Sequence, residues 1–200
     1  LYINNHNLTF TDMAAAYGLS DSSYSTQAVF LDYDKDGWLD MYLLTHQMQG
    51  ENINKVLPKD LSGNSPKNDQ LYHNEGINIK TGQPIFKNVT KAAGIAEDGY
   101  GLGVVVSDLN GDNWPDIYVA NDYIGNDLLW MNNKNGTFSN IISTSLKHQS
   151  YNSMGVDAAD FNNDGLIDLA VVDMLPENNE RKKMMFSATR MAQMGSRKSQ

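Results

Sequence analysis

The strongest constraint on this chain is an acidic nine-residue loop that occurs three times. It follows D-x-D/N-x-D-x-x-x-D, as DYDKDGWLD from Asp32 to Asp40, DLNGDNWPD from Asp108 to Asp116 and DFNNDGLID from Asp160 to Asp168. A phenylalanine stands 22 residues before each loop, at Phe10, Phe86 and Phe138. Further upstream are matching openings, Leu1-Tyr2-Ile3-Asn4, Leu71-Tyr72-His73-Asn74 and Leu129-Trp130-Met131-Asn132. Gly18 and Gly94 share one offset, Gly103 and Gly155 another. The loops start 76 and then 52 residues apart, and the excess of 24 is accounted for by two insertions. Eighteen residues lie in the connection 47–67 and six in the hairpin 71–86. Residues 1–180 are thus three copies of one unit, with boundaries near 1–70, 71–127 and 128–180.

Short apolar, β-branched runs bracket the acidic loops. Ala28-Val29-Phe30-Leu31 and Met41-Tyr42-Leu43-Leu44 flank the first, and Val104-Val105-Val106 and Ile117-Tyr118-Val119-Ala120 the second. Leu169-Ala170-Val171-Val172 follows the third. Runs of this length with turn-rich borders favour strands over helices. A second hairpin per copy closes on Asn-rich turns such as Asn133-Lys134-Asn135-Gly136. Four short strands in about 50 residues make a propeller blade, so the fold expected is all-β, a partial β-propeller of about three blades. Residues 13–17 and 90–93 read as a helical turn within longer connections. Three units cannot close a ring that needs at least four blades, so the chain is expected to be part of a longer protein.

The loops have the donor pattern of a calcium site. A hard cation of this size takes six to eight oxygens, and alternate carboxylates of a tight loop can converge on one centre. In the first loop Asp32, Asp34, Asp36 and Asp40 occupy positions one, three, five and nine, with the Trp38 carbonyl at position seven. The second offers Asp108, Asn110, Asp112, Asp116 and the Trp114 carbonyl; the third offers Asp160, Asn162, Asp164, Asp168 and the Leu166 carbonyl. Up to three Ca2+ ions are therefore expected. Gly37 and Gly165 stand at position six, where the chain reverses sharply. The second loop has Asn113 there, which tolerates a left-handed backbone only at some cost. An EF-hand is excluded, because position twelve is Leu43, Val119 or Val171 instead of Glu and the flanks are strands. Plain acidic turns are the competing reading, but repeated clustering of carboxylates without a cation is strongly repulsive.

Charge supports this chemistry. Residues 1–180 hold all 24 acidic residues against nine basic ones, a net −15. Such a body repels nucleic acid and attracts cations. Residues 181–200 carry six basic residues and no acid, and read as a connector or the start of a further blade. There is no cysteine, and no apolar run approaches the roughly 20 residues that span a bilayer. His6, His46, His73 and His148 show no ligand spacing and are expected to be ordinary surface or turn residues. No nucleophile elbow, Walker loop or dinucleotide fingerprint is present. The polar insertion 47–67 is expected to be a surface excursion; the alternative is that it shapes a ligand site on one propeller face.

These loops, with Asp116-Ile117-Tyr118-Val119-Ala120-Asn121-Asp122 and Leu129-Trp130-Met131-Asn132-Asn133, resemble the FG-GAP/VCBS-type repeats of integrin α-chain propellers and many secreted bacterial proteins. Val172-Asp173-Met174-Leu175-Pro176-Glu177 is similar to the Bacteroidetes-like branch related to cartilage acidic protein, whose members often carry an ASPIC/UnbV tail. The resemblance covers roughly residues 1–180. It implies a seven-bladed propeller with calcium in its loops, placed outside the cytoplasm. The function expected is a non-enzymatic scaffold for adhesion or for binding a glycan or protein. The alternative is the structural part of a secreted carbohydrate-active enzyme whose catalytic residues lie elsewhere.

Overall fold

The computed structural model describes residues 1–46, 59–122, 126–150 and 152–174. The strands are β1 (Tyr2–Asn4), β2 (Phe10–Asp12), β3 (Ser25–Leu31), β4 (Asp40–Thr45), β5 (Gln70–Ile77), β6 (Pro84–Asn88), β7 (Gly101–Ser107) and β8 (Asp116–Asn121). They continue with β9 (Leu128–Asn132), β10 (Phe138–Asn140), β11 (Ser153–Ala159) and β12 (Asp168–Asp173). A single helical turn, α1 (Ile142–Ser145), lies between β10 and β11. Two four-stranded antiparallel sheets run β3-β4-β5-β6 and β7-β8-β9-β10, flanked by the pairs β1-β2 and β11-β12. By sequence correspondence, β1 and β2 fill the third and fourth places of a blade, and β11 and β12 the first and second. The chain is a partial β-propeller: two complete blades between two half-blades. Blade edges fall half a unit from the sequence boundaries at 1–70, 71–127 and 128–180, because a repeat read from sequence has no inherent phase. Among the described residues no helix is long and apolar enough to cross a membrane.

The second strand of each complete blade is buried along its whole length. Its alternating side chains enter two different cores. Met41 and Leu43 pack with Tyr17, Leu19, Tyr72 and Phe86 on one face of β4. Tyr42 and Leu44 face the next blade, meeting Leu71, Val104, Ile117, Val119 and Trp130. Tyr118 turns the other way, towards Leu129, Ile142, Val156 and Leu169. Burying one side chain of this size is worth about 1.5–3 kcal/mol, so the blade faces carry most of the stabilisation. In β12, which has no further blade beside it among the described residues, the same positions are partly or fully exposed.

The first strands lie side by side. Thr26 Oγ1 donates to the Gly101 carbonyl (3.1 Å), and the Val104 N–H donates to Gln27 Oε1 (3.3 Å). Gly103 and Gly155 share one repeat offset, and a Cβ on Gly103 would lie 2.9 Å from Gly155 Cα. The first copy has Gln27 at that offset and uses its side chain to bridge instead.

The glycines that follow each phenylalanine have an equally direct cause, a contact with the phenylalanine of the next copy. Residues 13–17 and 89–93 each make one helical turn, closed by Tyr17 N–H to Met13 O (3.0 Å) and Ala93 N–H to Val89 O (2.8 Å). Gly18 and Gly94 end these turns at φ +80°. The turns dock on the outer strands, with Phe86 N–H donating to Tyr17 O and Phe138 N–H to Ala93 O, both at 2.8 Å. A Cβ at Gly18 or Gly94 would lie 2.5 or 2.9 Å from the carbonyl oxygen of Phe86 or Phe138.

A buried carboxylate closes the far end of each second strand. Asp69 accepts from Tyr42 O–H and Thr45 N–H, both at 2.8 Å. Asp127 accepts from Tyr118 O–H (2.6 Å), Asn121 N–H (2.8 Å) and Ser153 O–H (2.9 Å). Trp130 Nε1–H donates to the Tyr42 hydroxyl (3.1 Å), joining one blade to the next. Burial pushes the Asp69 carboxyl up to about 7 against the opposing pull of its two donors.

Two outcomes follow from this packing. Gly103→Ala should lower stability by about 1–3 kcal/mol, since backbone must move. Gly155→Ala, which meets only the Val172 Cγ2 methyl at 3.4 Å, should cost less; urea denaturation compares them. The stabilisation supplied by Asp69 is present in full below about pH 4, its unfolded value, and is lost as pH rises through about 7. Denaturation midpoints measured from pH 4 to 8 should therefore fall more steeply for the native chain than for Asp69→Asn.

Candidate metal centres

The three acidic loops fold alike. Each links the first strand of a blade to the second and turns through two left-handed residues, at positions four and six. These are Lys35 (φ 61°) and Gly37 (91°), Gly111 (74°) and Asn113 (68°), and Asn163 (61°) and Gly165 (86°). The second loop has its glycine at position four instead of six, so each loop strains one non-glycine residue. Asn113 therefore does not make the second loop exceptional.

The carboxylates are held from behind by backbone N–H groups. The position-six N–H donates to the position-one carboxylate in every loop: Gly37 to Asp32 (3.1 Å), Asn113 to Asp108 (2.7 Å) and Gly165 to Asp160 (2.9 Å). The position-seven N–H donates to position five: Trp38 to Asp36 (2.8 Å), Trp114 to Asp112 (2.9 Å) and Leu166 to Asp164 (2.9 Å). The position-two N–H donates to position nine: Tyr33 to Asp40 (3.2 Å), Leu109 to Asp116 (3.1 Å) and Phe161 to Asp168 (3.1 Å). Every expected acidic residue is thus drawn into its loop. Asn110 and Asn162 each donate Nδ2–H to the position-five carboxylate (2.8 and 3.0 Å), where the first loop has the carboxylate Asp34.

Position nine reaches beyond the loop. Asp40 and Asp116 have no solvent exposure, and each accepts a second N–H from the third strand, Asn74 (2.8 Å) and Asn132 (2.9 Å). Burial raises both carboxyls, that of Asp40 to about 6, despite these donors. Asn74 and Asn132 extend the joint. Asn74 Nδ2–H donates to Leu39 O (3.1 Å), and Asn132 Nδ2–H to Pro115 O (3.2 Å) and to Tyr33 O (2.8 Å) of the preceding loop. Lys35 Nζ lies 4.9 Å from the Trp114 ring centroid, a second contact between neighbouring loops.

One oxygen tests whether a cation fits. Asp32 Oδ1 is shut off from solvent and has no hydrogen-bond partner, a costly state for a carboxylate unless an ion meets it. One oxygen from each of Asp32, Asp34 and Asp36 lies within 4.8 Å of the others. Asp34 and Asp40 form a second such group with His73. The donor set therefore fits a hard divalent ion. His73, expected to be an ordinary surface residue, lies instead at the first loop, with Nδ1 3.1 Å from Asp40 Oδ1 and 3.5 Å from Asp34 Oδ2. Isolated histidine spacing gave no signal for this; only alignment of the repeats places residue 73 opposite a loop.

Residues 108–171 match the model of the FG-GAP-like repeat family. No curated protein matches the chain. The FG-GAP-like stretch starts at the first residue of the second loop, spans β8 to β11, and ends in β12 just past the third. It therefore contains two complete acidic loops and the strands between them. Of the insertion 47–67, residues 47–58 lie outside the described residues, as do 181–200. Residues 59–67 pack on the second blade's leading connection, through Lys59 to Glu97 and Lys67 Nζ to Asp98 (3.4 Å).

The shared left-handed positions set an expectation for stability. Gly37→Ala should destabilise by about 1–2 kcal/mol. Asn113→Gly should leave stability unchanged or raise it; chemical denaturation in chelator separates this backbone effect from any ion.

Proposed function

We propose that this chain is a calcium-stabilised segment of a β-propeller scaffold that acts outside the cytoplasm and presents a glycan- or protein-binding face. The observation that carries the reading is the common loop architecture, three oxygen-rich turns pre-shaped by the same N–H contacts, with a buried unpartnered oxygen on Asp32. Asp32, Asp34, Asp36 and Asp40 would hold one ion, with the Trp38 carbonyl. Asp108, Asn110, Asp112, Asp116 and the Trp114 carbonyl would hold a second. Asp160, Asn162, Asp164, Asp168 and the Leu166 carbonyl would hold a third. Each ion supplies charge neutralisation and a fixed point at which the first and second strands join the rest of the blade.

The loops lack the bidentate glutamate of high-affinity sensor sites, which suits saturation at the calcium levels found outside cells. The segments that follow the second strands in sequence differ in length, 21 residues at 47–67 and three at 123–125, and ligand recognition is assigned to them. Membership of the ASPIC/UnbV-related branch rests on the stretch 172–177 and belongs to the same proposal.

Scanning calorimetry of the full chain in EDTA and in millimolar calcium tests the ion-binding core of this reading. At 100 times Kd each ion adds about 2.7 kcal/mol, so the melting temperature should rise by several degrees. Isothermal titration should give three ions, falling to two in Asp108→Ala. An unchanged melting temperature with no binding heat would remove the proposal.

A further inference from the structure

We propose that the first loop, unlike the second, accepts a first-row divalent transition ion, with His73 Nδ1 joining Asp34 and Asp40 as a ligand. This deepens the reading of the loops as ion sites and rests on it for the carboxylates, but not for calcium itself. The third strand of each complete blade crosses its acidic loop with one side chain facing position three. In the second blade that side chain is Met131, whose Sδ lies 2.9 Å from Asn110 Nδ2. In the first blade it is His73, against Asp34. Two exchanges thus replace thioether by imidazole and amide by carboxylate. The second loop retains oxygen donors suited to calcium, while the first gains a nitrogen.

Imidazole suits zinc, whereas an all-oxygen cage suits calcium and manganese. Donors about 2.1 Å from a tetrahedral ion stand about 3.4 Å apart. The His73 Nδ1 separations of 3.1 and 3.5 Å from Asp40 and Asp34 bracket that spacing. The ring is already oriented: it meets Tyr33 edge-on at 6.0 Å, and the Asn74 N–H beside it fixes the Asp40 oxygen it faces. Asp34 also belongs to the donor group it forms with Asp32 and Asp36, so the nitrogen site adjoins the all-oxygen donors of the same loop. Ligation needs only that the ring proton reside on Nε2. Without a metal, Nδ1–H donates to Asp40 and holds the ring at the loop; on ligation the ion takes the place of that proton between the two atoms.

The test is isothermal titration of the chelator-stripped full chain with zinc and, separately, with calcium, for the native chain and His73→Met. Met is the residue the second blade carries at this place, so the variant should fold; circular dichroism checks it, and His73→Gln stands in if it does not. The expected result is one tight zinc site whose affinity falls about tenfold or more in His73→Met, with the calcium isotherm unchanged. Equal zinc affinity in both chains would overturn the inference, even with calcium bound normally at all three loops. A flat calcium isotherm with His73-dependent zinc binding would uphold it and remove the calcium reading instead.

Discussion

Asp40 and Asp116 are carboxylates without solvent exposure, and each grips backbone on two sides. One oxygen takes the N–H at position two of its own loop; the other takes the N–H of an asparagine in the third strand. Such a group is costly to bury unless both oxygens are satisfied. Its presence fixes the loop against the sheet, and that fixes where positions one, three and five point. The asparagine then extends the hold, and Asn132 carries it across to the Tyr33 carbonyl of the neighbouring loop. At the opposite end of the same strands, Asp69 and Asp127 pin the chain to Tyr42 and Tyr118. Every complete blade is clamped at both ends by a buried aspartate, with apolar second-strand residues between.

This arrangement explains why so acidic a body holds together. The position-one, -five and -nine carboxylates all receive N–H donors within the loop, which offsets part of their mutual repulsion. The offset is incomplete in the first loop, where four carboxylates meet and Asp32 Oδ1 has no donor. Asn110 and Asn162 relieve the same repulsion in the other loops by replacing a carboxylate with an amide. The loops therefore differ in charge although they share a backbone, and His73 adds a difference in chemistry.

Much of this was legible in the sequence because the determinants are local and repeated. Short apolar runs such as Met41-Tyr42-Leu43-Leu44 marked the strands, and the recurring phenylalanines and glycines marked the two sides of each docking contact. Blade phase was not legible, since β1 and β2 look like the start of a unit yet occupy the third and fourth places of a blade. The cost assigned to Asn113 was overestimated, because only the backbone shows that position four is left-handed too and that Gly111 relieves it. Asn68-Asp69 and Asn126-Asp127 match in sequence, but the burial of the two aspartates against a tyrosine hydroxyl depends on how the sheets fold and pack. His73 was obscured for the same reason: its loop lies 33 residues away from it, across the sheet.

The most direct test of the central claim is anomalous diffraction from crystals of the full chain grown in calcium. Three peaks are expected, one inside each acidic loop, each about 2.3–2.6 Å from the carboxylate oxygens at positions one, three and five, or the amide oxygen where Asn stands. Peaks only on exposed carboxylates elsewhere, with the loops keeping their N–H contacts and no ion within them, would contradict it.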